Sequence, residues 1–320
     1  MATPSLALIP SAYKVSGLAS VLPMDGTGDF THTRSTTATR INSSGAIETM
    51  AINVPRIDHT DGGCPILLLE PQSTNLYLNS GVLVTQNVTT TANDYTVSMY
   101  GTGSITFSGT STGTLTGTGA NDRVSVTFTA TAGTLTSTVY GSVLNSQNEK
   151  LSYATSYIPT TTTTVTRTAD ICNDSGDVNT FNSVEGVIFV ELENITGTES
   201  TNKMISLTDG SITNKIGLFI NSGAISVESS GSGTNLGIYS KPLQSGFNKI
   251  AVKFKVNDCA LWVNGTEYTD TSFAAFSAST LNSLVFNRGD LGQPFFGKVK
   301  QLQTFKTALT DTELQTLTTL

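Results

Sequence analysis

Few residues in this 320-residue chain are equipped for covalent or acid–base chemistry. The two histidines, His32 and His59, fall in no metal-binding pair and near no serine or cysteine elbow, so neither a triad nor a zinc site is assigned. Cys64, Cys172 and Cys259 are far apart, odd in number and without a Cys-x-x-Cys pair; they read as isolated small apolar residues. The nearest approach to a working carboxylate pair is Glu191-Leu-Glu193. Two carboxyl groups at a defined separation can flank a glycosidic bond, but this pair reads as a solvated strand face, and no catalytic residue is assigned. Asp209, Asn214, Asp270 and Asp290 are loop oxygen donors of the kind calcium uses, yet they follow no fixed spacing, so no metal or other cofactor is assigned. What is left is aromatic. Trp262, the single tryptophan, together with Tyr100 and Tyr140, could stack against sugar rings. Each has a plainer alternative: the tyrosines as caps on a core edge, Trp262 as packing between domains or subunits.

The elements that must position these residues are strands. Tyr95, Val97 and Met99 share one face, and Ile105 and Phe107 repeat the pattern after a Gly-Thr-Gly turn. Val124, Val126, Phe128 and Ala130 alternate with Ser125, Thr127 and Thr129, and Leu135 and Val139 continue the series. Further on, Ile188, Val190 and Leu192 alternate with Phe189, Glu191 and Glu193. Leu218 and Ile220 lead through Asn221-Ser-Gly223 to Ile225 and Val227, a hairpin pattern. Ile250, Val252, Phe254 and Val256 precede a turn at Asn257-Asp258, and Asn264-Gly265 is the strongest short hairpin signal of the chain. Trp262 has the opposite parity from Leu261 and Val263, so it points away from the core that those two fill. One helix is expected at the end: Thr310 as N-cap, Glu313 completing a capping box, and Leu309 with Leu314 as a hydrophobic staple. That helix should dock through Leu314 and Leu317.

Composition agrees with an all-β protein. Charged residues make up 13%, about half the ordinary share, and Thr, Ser, Asn and Gly fill the gap, which favours hydroxyl-bearing strand faces and tight turns. A net charge of −7 and a pI near 4.8 argue against nucleic acid and anionic membrane as partners. No window approaches a membrane span, and Met1–Pro10 lacks the basic start and apolar core of a signal peptide. The tract Tyr153-Ala-Thr-Ser-Tyr-Ile-Pro-Thr160, running through a threonine series to Asp170, reads as an extended linker, because its β-branched polar residues are stiff and have little to bury.

Two stretches resemble known families. Ala12-Tyr-Lys14, Leu22-Pro-Met-Asp-Gly-Thr-Gly-Asp-Phe30, Arg34-Ser-Thr-Thr-Ala-Thr-Arg40, Asn53-Val-Pro-Arg-Ile-Asp58 and Leu67-Leu-Leu-Glu-Pro-Gln-Ser-Thr-Asn-Leu76 follow in order across residues 4–80. This series resembles the N-terminal module of tailed-bacteriophage fibre and appendage proteins, frequent in phages of Bacteroidetes-type hosts. Ser73 stands where many relatives carry Arg. Residues 81–159 look like the small carbohydrate-binding jelly rolls of the same proteins. Trp262-Val-Asn-Gly265, Phe296-Gly-Lys-Val-Lys300 and Ala308-Leu-Thr-Asp-Thr-Glu-Leu314 resemble the concanavalin A-like sandwich in its laminin-G-like form. The Glu-x-Asp-x-x-Glu strand of the hydrolases that share this broad fold is absent.

These resemblances imply an irregular N-terminal β module over residues 1–80 for attachment or assembly. A small sandwich over 81–159, a linker over 160–168 and a second sandwich with a short terminal helix over 169–320 would follow. They further imply a non-enzymatic virion protein, a tail or head fibre or other appendage, made in the host cytoplasm without a signal peptide. It would be homo-oligomeric, with a trimer as the default, and would contact other virion proteins and cell-surface glycans. A purely structural decoration or adaptor protein and a glycan depolymerase are the alternatives.

Overall fold

A computed structural model describes residues 2–10, 30–60, 62–194, 202–231, 240–270 and 273–320. The part of the N-terminal series between residues 11 and 29 lies outside the described residues, as does the side chain of Asp270. The protein is all-β, and the helix Asp311–Thr318 is the one helix among the described residues.

The chain forms two compact units, and both are discontinuous. Residues 1–33, 55–69 and 170–320 make the first; residues 34–54 and 70–169 make the second. The expected boundary after residue 168 lies one residue from the division after Ala169, whereas those after residues 80 and 159 have no counterpart in this partition. The reason is strand pairing. Leu6–Leu8 and Ile66–Leu69 both pair with Gly297–Phe305, and Arg56–Asp58 pairs with Ile66–Leu69. The hairpin Ala38–Ile41/Ile47–Met50 belongs instead to the second unit, as does Ser73–Asn75. The first eighty residues therefore do not fold as a module of their own.

The first unit is a two-layer sandwich. Its larger sheet runs Thr266–Asp270, Cys259–Val263, Asn248–Phe254, Gly186–Glu193, Gly297–Phe305, then Ile66–Leu69 and Arg56–Asp58, with Leu6–Leu8 also on Gly297–Phe305. Its smaller sheet runs Lys241–Pro242, Ala224–Ser230, Lys215–Asn221, Lys203–Thr208, Ser283–Val285. Alternation decides the core between them: Ile188, Val190, Ile250, Val252 and Leu261 face Ile205, Leu218, Ile220, Ile225 and Val227, all fully buried. Both expected hairpins form. Ser222 and Gly223, then Asn264 and Gly265, take positive φ at paired positions, the left-handed geometry that a two-residue β turn requires.

Part of the reverse face of the larger sheet is apolar as well. Val187, Phe189, Ala251, Ala260, Trp262 and Phe305 form a second apolar layer, covered by Leu309, which precedes the terminal helix, and by Leu314 within it, with Leu317 alongside. The capping box is present, Thr310 accepting from the Glu313 N–H while Glu313 accepts from the Thr310 N–H.

The second unit is a smaller sandwich. Gly119–Ala130, Asn93–Gly101 and Val143–Glu149 form one sheet; Gly113–Thr116, Ser104–Gly109, Gly133–Tyr140 and Gln86–Thr90 form the other. Val97, Met99, Val126 and Phe128 meet Val88, Ile105, Phe107 and Leu135 between them.

The tract after Tyr153 is no free linker. Thr155, Tyr157, Ile158, Thr160 and Arg167 are buried, and Val165–Arg167 pairs with Ser73–Asn75. Its buried polar side chains have partners. Arg167 donates to Glu70 at 2.8 Å and to the Pro71 carbonyl at 2.6 Å. Ser156 donates its hydroxyl and its backbone N–H to Glu70, and Ser73 donates to Glu149 at 2.6 Å. The Glu-Pro-Gln-Ser-Thr-Asn segment and the Thr-Ser-Tyr-Ile-Pro segment, far apart in sequence, thus close one buried polar clasp.

Candidate functional site

The three aromatic candidates have different fates. Trp262 is 5% exposed, packed beneath the terminal helix. Its parity does turn it away from the main core, as expected, but the helix fills the space a ligand would need, so it offers no stacking surface. Tyr100 is half-buried, on the strand that centres the three-stranded sheet. Tyr140 is 60% exposed and lies on the four-stranded sheet. The two tyrosines sit on different sheets of the small sandwich and form no joint platform.

Tyr140 is held where it is by backbone geometry. It ends the strand Gly133–Tyr140 and pairs with Ser104. The turn after it packs closely on Gly103: a Cβ added there would lie 2.4 Å from the Tyr140 carbonyl oxygen and 2.8 Å from the Ser142 nitrogen. Only glycine allows that approach.

The surface beside Tyr140 follows from register. Residues paired across strands share a face, so the outer side carries Thr116, Ser104 and Tyr140 in one row and Thr114, Thr106 and Thr138 in the next. Ser108, Thr136 and Asn87 make a third row, and Thr134 with Thr89 a fourth. Every one of these positions is exposed or half-exposed. Neighbouring strands stand about 4.8 Å apart and successive outward residues roughly 6.7 Å apart, so the face is a lattice of hydroxyls ended by one aromatic ring. Within it Thr106 and Thr114 hydrogen-bond at 3.2 Å. The four strands contain no charged residue and present no aliphatic side chain on this side. The alternating runs Thr114-Leu-Thr116 and Thr134-Leu-Thr136-Ser-Thr138 signal this face in the sequence, although only Tyr140 was singled out there.

Other candidates are engaged in local contacts. Glu191 accepts from Gln301 at 2.9 Å and lies 3.7 Å from Lys300, while Glu193 lies 3.2 Å from Lys298. Both are half-buried rather than fully solvated. Asp209 accepts from the hydroxyl and backbone N–H of Ser211 and from Asn214. The Arg288 side chain and the Gly292 N–H donate to Asp290, and the hydrogen bond from Arg288 holds its carboxyl low, at about 2. Among the described residues no group of three or more His, Cys, Asp or Glu side chains is placed to hold a metal. His32 and Asp170 approach at 3.6 Å beside Arg56, all deeply buried. Cys172 and Cys259 are buried, and Cys64 is exposed.

No family model matches the chain, and no curated protein matches it. Solved structures overlap parts of it. The CBM40 of the Ruminococcus gnavus IT-sialidase bound to α2,3-sialyllactose is 17% identical and covers 46% of this chain and 94% of its own, with a TM-score of 0.37. Domain 4 of AbnA, a GH43 extracellular arabinanase from Geobacillus stearothermophilus in complex with arabinotriose, is 16% identical, covers 47% and 73%, and has a TM-score of 0.38. The NanB sialidase of Streptococcus pneumoniae is 16% identical; the overlap is 43% of this chain and 24% of that one, with a TM-score of 0.36.

Proposed function

We propose that this protein is a non-enzymatic, glycan-binding subunit of a bacteriophage virion appendage, and that its sugar site is the outer face of the four-stranded sheet around Tyr140. The observation that carries the binding reading is the face itself: an exposed phenol ring beside rows of hydroxyls, with nothing charged and nothing aliphatic between them. Each threonine or serine hydroxyl both donates and accepts, as sugar hydroxyls do. Threonine is also stiff about χ1, so little freedom is lost on binding. The phenol supplies an apolar plate for a sugar ring. The appendage reading is supported by the ordered N-terminal series. Oligomerisation, with a homotrimer as the default, would multiply one shallow site into useful avidity.

A glycan array probed with the full-length protein tests the binding reading. Tyr140→Ala should weaken capture roughly two- to tenfold, the contribution of one aromatic contact, and leave the thermal midpoint unchanged. An array on which the wild-type protein captures nothing would leave a structural decoration or adaptor role as the reading that fits. Labelling of intact particles with an antibody against this chain tests the virion assignment.

A further inference from the structure

We infer that the Tyr140 face selects neutral glycans and reads them along the chain rather than at a terminal sugar, an inference that rests on the binding reading above. Selection against acidic sugars follows from charge. A carboxylate brought onto a surface loses water and must be repaid by a cation or by several converging N–H donors. The strands Gln86–Thr90, Ser104–Gly109, Gly113–Thr116 and Gly133–Tyr140 carry no Lys, Arg or His, and their backbone N–H groups point along the sheet rather than out of it. The cations of this unit are placed elsewhere: Arg167 is buried on Glu70, Arg40 is paired with Glu48, Arg34 donates to the carbonyls of Thr36, Ala51 and Val54, Arg123 donates to Ser98 on the other sheet, and Lys150 is exposed directly after that sheet's strand Val143–Glu149. The unit as a whole carries five basic and five acidic residues, so no long-range field draws an anion to it.

Reading along the chain follows from shape. A terminal sugar is held by a concave pocket with converging polar groups. Here the register aligns four parallel rows over a strand of eight residues, about 27 Å long at the usual rise, and Gly113–Thr116 and Gln86–Thr90 are the edge strands of the sheet. An extended chain can lie across several rows at once, and each added sugar meets further hydroxyls of the same kind.

The test uses the full-length protein and an immobilised panel: neutral hexose oligosaccharides of two to six units, and acidic counterparts of matched length, polyuronates and sialylated oligosaccharides. The expected result is capture of neutral members, at least threefold tighter from the dimer to the hexamer, insensitive to added salt and weakened by Tyr140→Ala. Acidic members bound as tightly as neutral ones, or capture lost on adding salt, overturns the inference while leaving the face a glycan site. Equal affinity for dimer and hexamer overturns the chain-reading half. Silence across the whole panel, acidic members included, overturns the binding reading itself and this inference with it.

Discussion

At the residue scale, Trp262 and Tyr140 call for opposite outcomes on substitution. Trp262 fills a dry layer with Phe189, Phe305 and Leu314 around it, so Trp262→Ala should cost about 3–5 kcal/mol in denaturant unfolding, whereas Tyr140→Ala should stay within about 0.5 kcal/mol. The buried clasp offers a second case. Arg167 and Glu70 are both out of water, and removing one partner strands the other. Arg167→Met should therefore cost about 3–5 kcal/mol, and Arg167→Met combined with Glu70→Gln should cost less than the two single changes added together. Additive losses in that double-mutant cycle would count against a coupled pair. Asp290 gives a titration. The Arg288 hydrogen bond lowers its carboxyl from the ordinary 3.8 to about 2. A depressed folded value stabilises the protein above the ordinary carboxylate range, and that contribution is lost as pH falls from about 4 through about 2. Both side chains are about one-third exposed, so solvent screens the effect and it should be small. NMR titration of the carboxyl in Arg288→Gln should show it returning toward its ordinary value.

At the element scale, the parts with local signals were legible and the parts made by distant pairing were not. Asn264-Gly265 and Ser222-Gly223 demand positive φ, which few sequences tolerate, so the two hairpins could be read directly. The terminal helix announced itself through Thr310, Glu313, Leu309 and Leu314. The fate of Trp262 was half legible. Parity gave its side of the sheet, but whether that side stays open depends on where a helix some fifty residues later lands, and no local signal carries that. The hydroxyl face was legible as alternation and illegible as a surface, because rows form only once the register across four strands is set. Two outcomes are expected for the helix. Thr310→Ala, which removes the cap, should cost about 1 kcal/mol. Truncation before Ala308 should uncover the only tryptophan, so the emission maximum should move to longer wavelength; an unchanged spectrum would mean that the helix is not what keeps Trp262 dry.

At the scale of the whole molecule, the chain passes between its two units four times, at residues 33, 54, 69 and 169. A composition-based division saw a polar threonine tract and placed a boundary there. What the composition could not show was that Ser156 and Arg167 have a buried carboxylate, Glu70, waiting 86 and 97 residues earlier, while Thr155 donates to the nearby Glu149. A fragment starting near Val165 lacks Leu6–Leu8, Arg56–Asp58 and Ile66–Leu69, leaving one side of Gly297–Phe305 unpaired. Expressed alone, residues 165–320 should show no cooperative thermal transition, and a sharp one would contradict the shared-strand architecture. The pairing of Leu6 with Thr304, and the hydrogen bond from Ser5 to a residue 299 positions away, also set a clock. Ribosomes add roughly 5–20 residues each second, so Leu6–Leu8 waits about 15–60 s for its partner to be synthesised. During that wait an apolar strand has no edge to join, and loop closure over a separation of 299 residues makes this pairing slow. Chaperone occupancy during translation, more than equilibrium stability, should therefore govern how much of this protein reaches its native state.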